Sequence, residues 1–167
     1  MPEKETLERA HEDAREGKSP STQAGEFVRE EMHHIREGKH GADSPQQAIA
    51  IGLSKARRAG VKLPPSGRAS ARTRKQAQRD LRRGRSARRR KPSARRSRAT
   101  SRALRRKGRS AASRSSLSRQ ARRAARRRTS TSRHRAALKA VRTKGKTGLR
   151  QAARKAARTR TTHRRAA

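Results

Sequence analysis

The chain has 167 residues and a formal net charge of +39, from 51 Lys and Arg against 12 Asp and Glu. It contains no Cys, which excludes disulfide bonds and zinc sites built on thiolates. No apolar run approaches the ~18 residues that a membrane span needs, and the acidic N-terminus does not resemble a secretory signal. We therefore expect a cytoplasmic protein without a membrane partner.

The net charge lies entirely after Pro65. Residues 1–65 contain 11 Lys and Arg and 11 Asp and Glu, whereas residues 66–167 contain 33 Arg, 7 Lys and a single acid, Asp80. The sequence therefore predicts a neutral helical head over 1–65 and an Arg/Ala/Ser-rich polycationic tail of low complexity over 66–167. The tail has six large aliphatic residues, too few to offset the entropy of ordering it. We expect an all-α protein, with a small three-helix head followed by a long basic tail that is disordered or forms isolated helices.

The head carries start and stop signals for three helices. The first is predicted from Pro2 to Glu16, and Ser-Pro pairs mark the starts of the second and third. Ser44 and Gln47 have the spacing of a capping box. A glycine cap is expected at the end of each helix, at Gly17, Gly38 and Gly60.

The apolar residues of the second and third helices lie at helical spacing and form one face each. Glu31 interrupts the apolar face of the second helix. It either pairs with a base such as Lys55 or leaves that face imperfect. Gly52 fits close packing inside the head better than a close approach to a phosphate. The head surface predicted to dock a partner or a second copy consists of Phe27, Val28, Ile35, Ile49 and Leu53.

Three runs of the head carry a resemblance to a known family. They are GKSPSTQAGEFV at 17–28, REGKHG at 36–41 and SPQQAIAIGLSKARRAGVKL at 44–63. Over about residues 15–65 the chain resembles a family of small basic bacterial proteins that is defined by a domain of unknown function and is often labelled DNA-binding. The resemblance implies a bacterial cytoplasmic protein and transfers no catalytic or binding residues. The tail is similar to linker-histone and protamine tails by composition only.

The tail has the composition of a phosphate-binding device. Arginine donates two parallel hydrogen bonds to a phosphate, and the tail has no aromatic residue that would stack on unpaired bases, which favours double-stranded DNA. We expect sequence-nonspecific DNA binding and compaction by a histone-like, nucleoid-associated protein. The residues predicted to bind nucleic acid are Arg82, Arg83, Arg88, Arg89, Arg90, Lys91, Arg105, Arg106, Lys107, Arg122, Arg123, Arg126, Arg127 and Arg128.

Two alternative functions remain open at this point. The runner-up is a basic protein that associates with RNA or the ribosome through the tail. The second alternative is a protein-interaction module in the head that the tail tethers to nucleic acid. Five residues, Gly84, Pro92, Gly108, Gly145 and Gly148, are predicted to divide the tail into short units. We expect residues 120–128, 135–142 and 149–158 to become helical when phosphates neutralise them.

No constellation in the sequence predicts catalysis. Two Gly-Lys-Ser/Thr triplets lack the first glycine of a P-loop. His33, His34 and His40 lie near acids, but adjacent histidines diverge by about 100° on a helix, which argues against a shared metal. We expect no enzymatic activity, no cofactor and no metal site.

Overall fold

The computed structural model describes residues 2–67, 69–86 and 93–165, and the all-α prediction is confirmed in them. None of the helices in these residues is both long and apolar enough to cross a bilayer. The described helices are α1 (Lys4–Arg15), α2 (Pro20–Arg36), α3 (Pro45–Arg58), α4 (Ala71–Arg85), α5 (Ala94–Arg105), α6 (Arg114–Arg126) and α7 (Ser130–Arg165), with a 3₁₀ turn at Ser110–Ala112.

Contacts within the chain group it into two units, Met1–Ala121 and Arg122–Ala167. In the first unit, α2 packs against α1 and α3, α4 packs against α3, and the 3₁₀ turn packs against both α2 and α3. The compositional boundary at Pro65 therefore lies inside the first unit. As a division of function, that boundary stays a prediction.

The three predicted glycine stops of the head are confirmed. Gly17, Gly38 and Gly60 have positive φ angles of 69°, 79° and 109°, a region that glycine adopts without steric cost. After α1, the Gly17 N–H donates to Ala14 O at 3.1 Å and the Lys18 N–H donates to the carbonyl five residues back at 2.8 Å. This pair of bonds is a Schellman motif, and the same pair closes α2 and α3.

The predicted capping box of α3 is confirmed for Ser44, but the return bond from the Gln47 side chain goes to a residue one position earlier than predicted. Ser44 Oγ accepts from the Gln47 backbone N–H at 3.2 Å, as in a capping box. The Gln47 side chain reaches back to the N–H of Asp43, not of Ser44, at 2.7 Å. Both bonds satisfy donors that the start of the helix would otherwise leave unpaired.

The core of the first unit consists of two apolar clusters. One surrounds Phe27, where α1, α2 and α3 meet. The other surrounds Ile35 and includes Ala111 and Ala112 of the 3₁₀ turn, which are 3% and 0% exposed. The basic segment therefore contributes directly to the hydrophobic core of the head.

The prediction of a long disordered tail, or one of isolated helices, is wrong. Helices α4 to α7 cover most of the described residues after Pro65, and two parts of this segment pack on the head. Ala and Arg are both strong helix formers. Ser70, Ser113 and Thr129 each accept a backbone N–H three residues later, at 3.2 Å, and so cap the starts of α4, α6 and α7. Residues 120–128, 135–142 and 149–158 are largely helical. That phosphates promote these helices stays a prediction.

Helix α4 is attached to α3 by the tail's one acid. Asp80 is 1% exposed and accepts the Ser54 hydroxyl at 2.5 Å, while Gln76 Nε2 donates to both of its oxygens at 3.3 Å. Arg58 Nε of α3 lies 3.6 Å from Asp80 Oδ1. Because the carboxylate is buried with partners on both helices, it joins the basic segment to the head.

Glycines allow three pairs of backbone segments to touch. A Cβ at Gly84 of α4 would lie 2.1 Å from Arg57 O of α3, which is closer than real Cβ contacts occur. A Cβ at Gly52 would lie 2.8 Å from Val28 Cα, so the prediction of close packing inside the head is confirmed. A Cβ at Gly41 would meet the backbone carbonyl of Lys107 at 2.0 Å. Each contact requires a residue without a side chain.

The end of α5 and the 3₁₀ turn dock on the loop between α2 and α3. The Gly41 N–H donates to Leu104 O at 2.9 Å, and the next N–H, of Ala42, donates to Gly108 O at 3.3 Å. Arg36 Nε donates to Ala112 O at 3.0 Å. Backbone hydrogen bonds and the packing of alanines hold this segment in place. A count of the large aliphatic residues in the sequence does not reveal either kind of contact.

The predicted dividing residues of the tail have mixed outcomes. Gly108 separates α5 from the 3₁₀ turn, and Gly145 interrupts α7 with non-helical angles, φ 61° and ψ −177°. Gly84 lies inside α4 and Gly148 inside α7, so the prediction is wrong for both. Pro92 lies outside the described residues.

Substitution of Gly84 by alanine tests the contact between α3 and α4. The added Cβ overlaps the Arg57 carbonyl, so we expect the free energy of unfolding to fall by roughly 1–3 kcal/mol despite the better helix propensity. Gly25→Ala is the matched control, because Gly25 lies inside α2 with nothing within 4 Å. That substitution is expected to raise the free energy of unfolding by ~0.5–1 kcal/mol. Urea denaturation measures both, and equal effects would contradict the close approach.

Candidate nucleic-acid interface and buried charge cluster

The cations predicted to bind nucleic acid are exposed wherever the structure describes them. Arg82 and Arg83 lie at the end of α4, and Arg105 lies at the end of α5, with Arg106 and Lys107 just after it. The remaining described ones lie in α6 or the turn that follows it. Exposure leaves the described side chains accessible to a phosphate. Four of the predicted residues lie outside the described residues, namely Arg88, Arg89, Arg90 and Lys91.

Lys107 differs from the other predicted cations. Its Nζ lies 2.7 Å from Asp43 Oδ1, so it pairs with the loop on which the tail segment docks. Among the residues that the structure describes after Pro65, it is the one cation with a carboxylate partner. The other described cations of that segment have no acid of this chain to neutralise them.

The second unit, residues 122–167, contains 18 Lys and Arg and no acid. Arg122, Arg123, Arg126 and Arg127 lie at the end of α6 and just after it, as two pairs four residues apart. Like charges at this spacing repel each other along a helix. Anions close to the helix relieve repulsion of this kind.

The predicted docking surface of the head is divided between core and surface. Phe27 and Ile35 have no exposed area, because they form the centres of the two core clusters. Val28, Ile49 and Leu53 are partly buried against the same clusters. A partner would meet these three residues only, and their role as a docking surface stays a prediction.

Two carboxylates of α2 are buried beside one ammonium of α3. Lys55 Nζ lies 2.7 Å from Glu31 Oε2 and 3.1 Å from Glu30 Oε1, so the predicted pairing of Glu31 with Lys55 is confirmed. The side chains of Glu30 and Glu31 are 1% and 0% exposed. One ammonium faces two carboxylates, so the buried group carries one uncompensated negative charge when all three are ionised.

The buried charges shift each other's pKa values. Burial acts to raise the pKa of Glu30, but Lys55, the Thr6 hydroxyl and the Glu3 backbone N–H outweigh it and hold that pKa below 4.5. Burial acts to lower the pKa of Lys55, but Glu31 and Glu30 outweigh it and raise that pKa above 10.5. Both groups are therefore stabilised in their charged forms.

Two histidines border the same cluster. His34 Nε2 lies 2.8 Å from Glu3 Oε1, and His40 Nε2 lies 3.2 Å from Glu31 Oε1. Their rings meet edge to face, with centroids 6.1 Å apart. The sequence draws attention to the adjacent pair of His33 and His34, whereas the structure brings together His34 and the loop residue His40. The signal in the sequence for this grouping was the three-residue spacing from Glu31 to His34, which puts both residues on one side of a helix.

The pKa shifts of the cluster predict how stability depends on pH. The folded chain holds Glu30 at a lowered pKa, so this contribution is present above about pH 4.5 and is lost as the pH falls through the folded value. The folded chain raises the pKa of Lys55, so the contribution of this residue to stability is lost as the pH rises above about 10.5. Urea midpoints between pH 3 and pH 7 measure the acid arm, and a midpoint independent of pH would contradict it.

Removal of the ammonium tests the cluster at neutral pH. Lys55→Met leaves two buried carboxylates without their cation, and we expect a loss of roughly 3–5 kcal/mol in the free energy of unfolding. Lys62→Met is the matched control, because Lys62 is exposed just after α3. That control is expected to change the free energy of unfolding by less than ~0.5 kcal/mol.

Residues 19–67 match a family of unknown function, DUF6496. The match covers α2, α3 and the first residues after Pro65, and the family description assigns no activity, ligand or partner. It agrees with the resemblance to a domain of unknown function found in the sequence. No curated protein and no solved structure matches the chain.

Proposed function

We propose that the chain binds double-stranded DNA without sequence preference and compacts it, as a histone-like protein of the bacterial nucleoid in the cytoplasm. The observation that carries the proposal is the second unit, where 18 Lys and Arg stand without an acid. The described side chains of Arg and Lys in this unit are exposed. A polyanion is the partner that such a segment requires.

The charge density of the second unit suits a duplex. With 18 cations over 46 residues and a helical rise of ~1.5 Å per residue, one cation occurs about every 4 Å. Duplex DNA carries one negative charge per ~1.7 Å of its axis. The duplex therefore offers a denser array of opposite charge, and both partners gain by releasing counterions.

The chemistry of the cations favours phosphate recognition without base recognition. Most are Arg, which forms paired hydrogen bonds with phosphate oxygens. Phe, Tyr and Trp side chains, which bind single strands by stacking, are absent from the sequence after Phe27. Structured RNA presents the same phosphates and is the runner-up partner.

Salt dependence of affinity tests the electrostatic mechanism. If the chain engages ~10 phosphates, affinity for a fluorescent duplex is expected to fall by 10³–10⁵ between 50 and 200 mM salt. Fluorescence anisotropy across that range measures the effect. An affinity insensitive to salt would overturn the proposal.

A quadruple variant tests the α6 cluster. Replacing Arg122, Arg123, Arg126 and Arg127 by Gln is expected to reduce the slope of log affinity against log salt by up to about 3.6, at ~0.9 for each phosphate that is no longer neutralised. Replacement of the same four residues by Lys keeps the charge and is expected to keep most of the slope. If the two variants reduce the slope equally, charge is not the cause.

The choice between DNA and RNA is tested in cells. Crosslinking followed by sequencing of bound nucleic acid is expected to recover DNA spread over the chromosome. Recovery of ribosomal RNA in its place would overturn the DNA proposal and support the runner-up. A competition between a duplex DNA and an RNA hairpin of equal charge gives the same comparison in vitro.

A further inference from the structure

Three potential metal ligands converge beside the buried charge cluster. Glu31 and His34 lie one turn apart on α2, and His40 comes from the loop that follows. One ligand atom from each lies within 4.8 Å of the other two. Glu31 has no exposed surface, and the side chains of His34 and His40 are 12% and 17% exposed. The site is therefore largely shielded from water.

The fold holds the loop residue in place. Gly38 turns the chain back after α2 through its positive φ angle, which returns His40 to the side of the helix that carries Glu31. The N–H of the next residue, Gly41, is bonded to Leu104 O at 2.9 Å. His40 is thus positioned by backbone on both sides of it.

The outer nitrogen of each histidine faces an oxygen acceptor. His40 Nδ1 lies 3.3 Å from the Gly41 carbonyl, and His34 Nε2 lies 2.8 Å from Glu3 Oε1. Because a carbonyl and a carboxylate only accept, the tautomer that puts the proton on each of these nitrogens leaves the other nitrogen of the ring free to bind a metal. Metal-binding histidines are held in this way, with the outer N–H bonded to a carbonyl or a carboxylate.

The inner nitrogens then face buried carboxylates with their lone pairs. His40 Nε2 lies 3.2 Å from Glu31 Oε1, and His34 Nδ1 lies 3.9 Å from Glu30 Oε1. In the tautomer with the proton on Nδ1, His40 Nε2 and Glu31 Oε1 are both acceptors and repel each other at 3.2 Å unless a positive centre lies between them. Neither oxygen of Glu31 has a hydrogen bond of normal geometry, although Lys55 Nζ lies 2.7 Å from Oε2.

We propose that Glu31, His34 and His40 bind a divalent transition metal of the zinc type. Two imidazole nitrogens and one carboxylate oxygen are ligands that Zn²⁺ prefers, and a water molecule would complete a tetrahedron. Mg²⁺ and Ca²⁺ prefer oxygen ligands throughout. Its two positive charges more than offset the one negative charge that Glu30, Glu31 and Lys55 leave uncompensated when all three are ionised.

The dimensions of the site fit this ion after a small closure. Zinc bonds of ~2.0–2.1 Å place tetrahedral ligands about 3.3 Å apart. The pair of His40 Nε2 and Glu31 Oε1, at 3.2 Å, already has that separation. The ligand atom of His34 lies within 4.8 Å of the other two, so closing that distance to about 3.3 Å completes the set. The bound ion would join α2 to the loop on which residues 104–112 dock, independently of nucleic-acid binding.

Zinc titration of the full-length chain tests the proposal. After treatment with a chelator, the chain is titrated with Zn²⁺ in competition with a coloured zinc indicator, and one ion per chain is expected. His34→Asn and His40→Asn are each expected to weaken the affinity at least tenfold. His33→Asn is the matched control, since the exposed neighbour of His34 is expected to leave the affinity unchanged.

Two further measurements keep the test independent of how the variants fold. Cobalt added to the unmodified chain is expected to give the visible absorption of a tetrahedral complex with nitrogen ligands. Zinc is expected to raise the thermal midpoint of the unmodified chain and the His33 variant only. Circular dichroism establishes that each variant remains helical.

Two results would overturn the proposal. Equal loss of zinc affinity in all three histidine variants, or in none, would mean that zinc binds elsewhere on the surface. Absence of zinc binding, together with a thermal midpoint that rises on mild acidification and falls in the His40 variant, would identify a proton as the positive centre.

Discussion

The ion cluster of Glu30, Glu31 and Lys55 is the interaction on which the rest of the first unit depends. It fixes α3 against α2 in a region largely closed to water. In the same interface, the backbones of the two helices touch at Gly52. Once α3 is placed, its Ser54 and Arg57 provide the surface that receives α4. The loop between α2 and α3 likewise receives the 104–112 segment. Order in the basic segment is therefore derived from order in the head.

The helices of the head were predictable because their ends are determined by local chemistry. The capping glycines and the Ser-Pro starts act over a few residues and need no knowledge of the fold. The pairing of Glu31 with Lys55 was also within reach, since a lone acid in an apolar stripe requires a base. The assembly of His34 with His40 was not, because it depends on the path of a loop after Gly38.

The error about the tail has a specific physical origin. The prediction of disorder counts large aliphatic side chains as the only source of packing energy, and the tail has few of them. The structure packs this segment through Ala77, Ala111 and Ala112, through glycines that bring backbones together, and through one buried acid. Small residues contribute little transfer energy each, but they allow carbonyls and N–H groups of separate segments to meet. Composition alone does not reveal such contacts.

The docking of α4 fixes a register within a segment of low complexity. Ala77, Asp80 and Gly84 are spaced by three and four residues, which puts them on one face of the helix toward α3. One inserted residue between Ala77 and Gly84 would turn half of that face by about 100° and replace a packed residue with an arginine or a glutamine. An insertion among the exposed cations near the end of the chain would also rotate the helix. The new exposed surface would carry nearly the same charge as the old one. Two stretches of similar composition thus differ in how much change of length they can tolerate.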